Sequence, residues 1–173
     1  MAVSFLKRAL IALLLPMVCY VHANEDQYRI DAGDSIAIVV FNEPELSIKA
    51  KIAQSGQIRF PLLGDINVLD KTPDELAHEI EAALVDGYLV NPDVSVTIEA
   101  YRPIFVKGAV KKAGSHPFVF ELNVEQAIAM AGGLTDRASK SDWHIIRKGE
   151  KIKANKSTTL MPGDVITIGE SLF

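Results

Sequence analysis

The chain has 173 residues, 49% of them hydrophobic, with 18 Lys and Arg against 22 Asp and Glu. A net charge of −4 argues against a nucleic-acid partner, because phosphate binding needs a clustered excess of Lys and Arg. With 1 cysteine, no disulfide framework can form within the chain.

The first two dozen residues read as an address. Lys7 and Arg8 form a positive start, Ala9 to Met17 an apolar run, and Val21-His22-Ala23 a cleavage site. The run is shorter than the roughly 20 residues that span a bilayer, so a secretory signal over 1–23, cleaved after Ala23, is expected. Cys19 is a candidate lipid-attachment site, but Pro16-Met17-Val18 lacks the small residues that such processing wants. Loss of the leader leaves 16 Lys and Arg and a net charge of −6. Nothing later reaches spanning length, and about 150 residues can hold one domain or two small modules. The pattern favours two.

In the first module, Asp31-Ala32-Gly33-Asp34 is a turn and Ser35 to Phe41 a strand. Lys51 to Gln54 and Gln57 to Phe60 alternate around Ser55-Gly56, which predicts a hairpin. Pro61 to Val68 continues as a short strand interrupted at Gly64. Thr72, Pro73 and Glu75 carry an N-cap and capping box, and Leu76, Ile80, Ala83 and Leu84 share one helical face up to Gly87. Asp93 to Glu99 alternates as a half-buried strand.

In the second module, Ile104 to Val106 is a strand entering Gly108, and Gly114 marks a turn before Phe118-Val119-Phe120. Asn123 caps a short helix that Gly132-Gly133 ends. Trp143 to Arg147 and Lys151 to Lys153 flank a Lys148-Gly149 hairpin turn, and Asp164 to Ile168 closes the chain as a strand. Ile30 to Ile38 echoes Leu160 to Ile168: each has a Gly-Asp turn directly before an alternating strand. Shared turn chemistry explains this more simply than duplication.

This order of motifs resembles the Wza-like polysaccharide export family, in which a polysaccharide-export domain is joined to SLBB (soluble-ligand-binding β-grasp) domains. The first module matches in Tyr28-Arg29-Ile30 with Gly33-Asp34, in Gln54 to Gly64 including Gly56 and Pro61, in Thr72 to Leu76, and in Tyr88 to Val96. The second matches in Val106 to Val110 around Gly108, in Gly114, and in Glu125 to Thr135 across Gly132-Gly133. Ala113 stands where the family usually has proline.

The resemblance implies an α+β chain: a polysaccharide-export α/β domain over 24–101 and a β-grasp SLBB domain over 102–173. It further implies a non-catalytic periplasmic part of a capsular or exopolysaccharide export machine, associated with the outer membrane and forming or capping a ring of its own copies. Ending at Ser171-Leu172-Phe173, the sequence shows neither the further SLBB module nor the outer-membrane helix of long members. A separate outer-membrane β-barrel is therefore expected as partner, beside an inner-membrane co-polymerase or chain-length regulator. A monomeric saccharide-binding adaptor is the alternative.

The residues themselves suggest neither catalysis nor a cofactor or metal. His78, His116 and His144 lie on different elements without metal-ligand spacing. Glu43, Glu45, Asp74 and Glu75 could imitate a glycosidase pair, but a helix N-terminus better explains Asp74 and Glu75. Ala131-Gly132-Gly133-Leu134 follows a helix instead of opening one, which suits chain reversal and not phosphate binding. Tyr101 and Trp143 are candidates for stacking on sugar rings, against the commoner fate of core packing. Arg59 and Arg102 are candidate rim or interface residues.

Overall fold

The computed structural model describes residues 28–171; the expected leader, Cys19, the cleavage point after Ala23, and Leu172-Phe173 lie outside them. The fold is α+β, with two hydrophobic clusters, one drawn from residues 30–98 and the other from residues 104–168.

In the first cluster, β1 (Ser35–Val40) sits between β2 (Ile48–Lys51) and β5 (Val94–Ala100), antiparallel to both. Ile36, Ile38 and Val40 alternate inward from β1, and Val94 and Val96 from β5. Helix α1 (Pro73–Val85) presses Leu76, Ile80 and Leu84 against them. Its start is the expected capping box: Glu75 N–H donates to Thr72 Oγ1 at 3.1 Å, and Thr72 N–H to Glu75 Oε2 at 2.9 Å. The other end of the box works electrostatically, since the Thr72 N–H and then Arg29 hold the Glu75 carboxyl below its usual range.

The hairpin expected across Ser55-Gly56 does not form. Strand β3 (Gln57–Phe60) pairs with β4 (Gly64–Asn67), whereas β2 pairs with β1. Ile52 carries the β2 pairing on past Lys51, donating to the Asp34 carbonyl at 2.8 Å and accepting from Gly33 N–H at 2.9 Å. Hydrogen bonds that a β2–β3 hairpin would need are thus absorbed by the Gly-Asp turn before β1. Gly56 still turns the chain (φ +71), but between sheets. The β3–β4 hairpin closes instead at Pro61-Leu62-Leu63, where Leu63 N–H donates to the Pro61 carbonyl at 2.8 Å over a Leu62 held at φ +64, a strained three-residue turn.

The second cluster lies under a five-stranded sheet ordered β7 (Gly114–His116), β6 (Ile104–Gly108), β10 (Val165–Glu170), β8 (Ala138–Arg147), β9 (Glu150–Lys153). Its central pair, β6 and β10, is parallel. Helix α2 (Val124–Met130) packs Val124, Ala127 and Ile128 against Val106, Ile145, Ile166 and Trp143. Asn123 and Gln126 form its capping box, both bonds at 2.9 Å, and Lys148-Gly149 turns β8 into β9 as expected. Phe118 to Phe120 run through a loop past the short β7.

Candidate functional site

The two Gly-Asp turns have the same geometry. Asp34 N–H donates to the Asp31 carbonyl at 3.2 Å, and Asp164 N–H to the Met161 carbonyl at 3.1 Å. Each carboxylate then folds back onto the N–H of the residue three earlier, Asp31 at 2.9 Å and Met161 at 2.8 Å. Both aspartates are buried, and a buried carboxylate needs a cation as well as donors. Each has an arginine. Arg147 of β8 grips Asp164 with two prongs, Nε to Oδ1 at 2.9 Å and Nη2 to Oδ2 at 2.7 Å. This contact pushes the guanidinium's affinity for its proton up further.

Asp34 takes its arginine from the segment between the two clusters. Arg102 donates its backbone N–H to Asp34 Oδ1 at 2.8 Å and Nη1 to Oδ2 at 3.2 Å, while Nη2 reaches Asp31 at 3.2 Å. Tyr28 completes the group: its hydroxyl donates to Asp34 Oδ2 and accepts from Arg102 Nη1 at 2.9 Å. Burial, then that bond to Asp34, drives the Tyr28 hydroxyl pKa far up, so it stays protonated. The arginine passes between two glycines. A Cβ on Gly33 would stand 3.2 Å from Arg102 Cβ, and one on Gly163 would stand 2.8 Å from its Nε. Arg102 therefore clasps the turn before β1 to the turn before β10.

Of the residues singled out in the sequence, Gly33, Asp34, Tyr101 and Arg102 meet at this clasp. Tyr101 stands edge-to-face between Tyr28 (ring centroids 4.8 Å apart) and Phe118 (5.4 Å), so its ring packs against protein on two sides. Trp143 is a core residue, 4% exposed, with its indole N–H donating to the Ser139 carbonyl at 2.6 Å; it has no free face for a sugar. Arg59 lies elsewhere, in a cleft of about 510 Å³ that it lines with Ile48, Phe60, Pro61, Leu62 and Gly64. The motif glycines Gly33, Gly56, Gly64, Gly108, Gly114, Gly132 and Gly133 all have positive φ.

The three histidines among the described residues stay apart: His78 beside Glu81 on α1, His116 against the Lys112 carbonyl, His144 beside Asp142. Glu43 and Glu45 share one 3-10 turn, and their mutual hydrogen bond lifts Glu43 above the usual carboxylate range. The sequence placed Tyr28 in a family motif and Asp31 and Asp164 in turns, and Arg147 in a strand, without revealing that they join buried ion pairs. The echo of two Gly-Asp turns held the clue, because an aspartate buried by such a turn calls for a nearby cation.

Comparison with known families matches residues 22–99 to the polysaccharide biosynthesis/export protein model and residues 103–156 to the SLBB domain model. The chain belongs to this polysaccharide export family. Similar curated proteins include the exopolysaccharide production protein ExoF of Rhizobium meliloti (strain 1021), 28% identical over 65% of this chain and 30% of that protein. The EPS I polysaccharide export outer membrane proteins EpsA of Ralstonia nicotianae and Ralstonia solanacearum are 28% and 29% identical over 75% of this chain and 41% of theirs. The chain thus spans less than half the length of these relatives. Arg102 falls between the two matched segments, so the clasp joins an export domain to an SLBB domain.

Proposed function

We propose that this export-family chain is a non-catalytic periplasmic component of a capsular or exopolysaccharide export machine, forming or capping a ring-shaped conduit at the outer membrane. The observation that carries the reading is the ordered pair of matched domains, export then SLBB. The clasp supports it, because Arg102 is bonded to Asp34 and Asp31 of the first module and lies against Gly163 of the second, a contact that favours the fixed module geometry of a stacked collar. Heterologous contacts that close by rotation build such a ring. The domains run 24–101 and 102–173. No helix among the described residues is long and apolar enough to cross a membrane. In this reading a β-barrel partner supplies the channel and an inner-membrane co-polymerase delivers the polymer. The outer-membrane names of the EpsA relatives support the location. Sedimentation and native mass of the processed protein test the proposal. A closed multimer, together with loss of glycan secretion on deletion, is expected. A lone monomer in export-competent cells, or secretion undiminished by deletion, refutes it.

A further inference from the structure

Charge is divided unevenly between the two modules. Residues 24–101 hold 15 Asp and Glu against 5 Lys and Arg, whereas residues 102–173 hold 11 Lys and Arg against 7 Asp and Glu. An overall acidic chain thus contains a basic second module.

Strand register shows where some of that positive charge stands. Ile145, Ile166 and Val106 face the core, so their neighbours in the strands face the other way. Cross-strand pairing aligns these outward residues in two rows. One runs Lys151, Ile146, Val165, Phe105, and the next Lys153, His144, Thr167, Lys107. The first is an apolar strip with a lysine at its edge and Phe105 45% exposed. The second is polar, with a lysine at each end. Strands lie about 4.8 Å apart, so each row of four covers about 14 Å. Among the described residues Lys107, Lys151 and Lys153 enter no ion pair; Asp142, an acid on the same face, lies 3.3 Å from His144 Nδ1, so the face carries three lysines against one carboxylate along these rows. Lysines on an edge strand deter sheet-to-sheet pairing, which accounts for Lys151 and Lys153 on β9 and, past the end of the β6–β7 pairing, for Lys107; a line of lysines at both margins of one face is also what a bound polyanion needs.

We infer that this outward sheet face binds an acidic polysaccharide, with uronate-type carboxylates meeting Lys107, Lys151 and Lys153 while the apolar face of the sugar rings lies on Phe105, Val165 and Ile146. Charge complementarity selects the occupant: a neutral glycan has no use for three free ammonium groups, and the acidic first module repels the same polymer, leaving it mobile beyond the SLBB face. The inference rests on the export reading and gives that cargo a charge.

The test uses the full chain as the host processes it, titrated calorimetrically with polygalacturonate and with dextran. Polygalacturonate should bind, weakening steeply as salt screens exposed charges, and dextran should bind at least about tenfold more weakly. The triple variant Lys107→Gln, Lys151→Gln, Lys153→Gln should lose about tenfold in polygalacturonate affinity with an unchanged melting temperature. Lys111→Gln with Lys112→Gln, outside these rows, should change neither. Equal binding of dextran overturns the inference, as does a triple variant that binds normally. A triple variant that alters only sedimentation at low salt also overturns it, since the face then meets the acidic module of a second copy. Binding and secretion separate the two proposals. Lysine-dependent binding with secretion intact on deletion refutes the conduit and keeps the face; secretion lost on deletion with no discrimination between polymers does the reverse.

Discussion

Removing the arginine from each Gly-Asp turn should have unequal costs, and the structure sets the order. In Arg147→Ala, Asp164 is 1% exposed and loses both prongs of its guanidinium. Its remaining side-chain bond is the Met161 N–H at 2.8 Å. Stripping one partner from a buried pair costs about 3–5 kcal/mol; with Arg147 26% exposed, water can partly replace it, and about 3 kcal/mol is expected. In Arg102→Ala, Asp34 keeps the N–H groups of Asp31 and of residue 102 itself, and the Tyr28 hydroxyl. The loss is then closer to one charge-assisted hydrogen bond, about 1.5 kcal/mol. Urea unfolding followed by far-UV circular dichroism and by the fluorescence of Trp143, the chain's 1 tryptophan, measures both. With a slope of about 2 kcal/mol/M, the midpoint should fall by about 1.5 M for Arg147→Ala and by about half that for Arg102→Ala. Equal losses, or a larger loss for Arg102→Ala, would refute the argument that spare donors decide the cost.

Gly108→Ala should be severe. At φ +91 its Cβ would lie 2.0 Å from the Ile168 backbone oxygen in the neighbouring strand, and backbone strain with overpacking should cost about 3 kcal/mol or more, read as a lower melting temperature and poor soluble yield. Thr72→Ala removes half of the α1 capping box and should cost about 1 kcal/mol by urea melt. Acid should destabilise the first module through Glu75 and Glu81. The Thr72 and Val94 N–H groups, as first cause in each case, hold their carboxyls below the ordinary value. Their contribution is therefore present above the unfolded-state pKa of about 4.3 and lost as pH falls through the lower folded values; Glu75→Gln with Glu81→Gln should flatten the circular-dichroism titration in that range.

What the sequence revealed divides along physical lines. Both helices were legible to their caps, because Thr72 with Glu75 and Asn123 with Gln126 are local reciprocal bonds that a short stretch of chain encodes completely. The alternating strands were legible too, since one buried face forces a period of two. Strand partnership was not. Alternation on both sides of Ser55-Gly56 looks the same whether β3 pairs with β2 or with β4, and the choice turned on Ile52 bonding to the distant Gly33-Asp34 turn. Arg102 and Asp34 are likewise 68 positions apart, so the arginine could be noticed but its partner could not. Trp143 took the commoner fate of a strand aromatic, the core, where its indole N–H is satisfied by the Ser139 carbonyl four residues away.

The repeated turn also bears on how two small modules come to act together. A Gly-Asp turn buries a carboxylate at the mouth of a strand, and that carboxylate requires a cation wherever one can be had. Asp164 is served from within its own sheet, by Arg147, and so stabilises only the module that contains it. Asp34 is served by Arg102, in the chain between β5 and β6, whose side chain also lies against Gly163 of the other turn. The same local chemistry thereby becomes a joint. Bending the modules apart would have to withdraw a guanidinium from a fully buried carboxylate and open the Tyr28–Tyr101–Phe118 stack. A hinge is the default expectation between small domains joined by a short segment, and here the buried ion pair opposes it. Under the collar role proposed above, such coupling would let contacts made by the export domains fix the position of the SLBB faces.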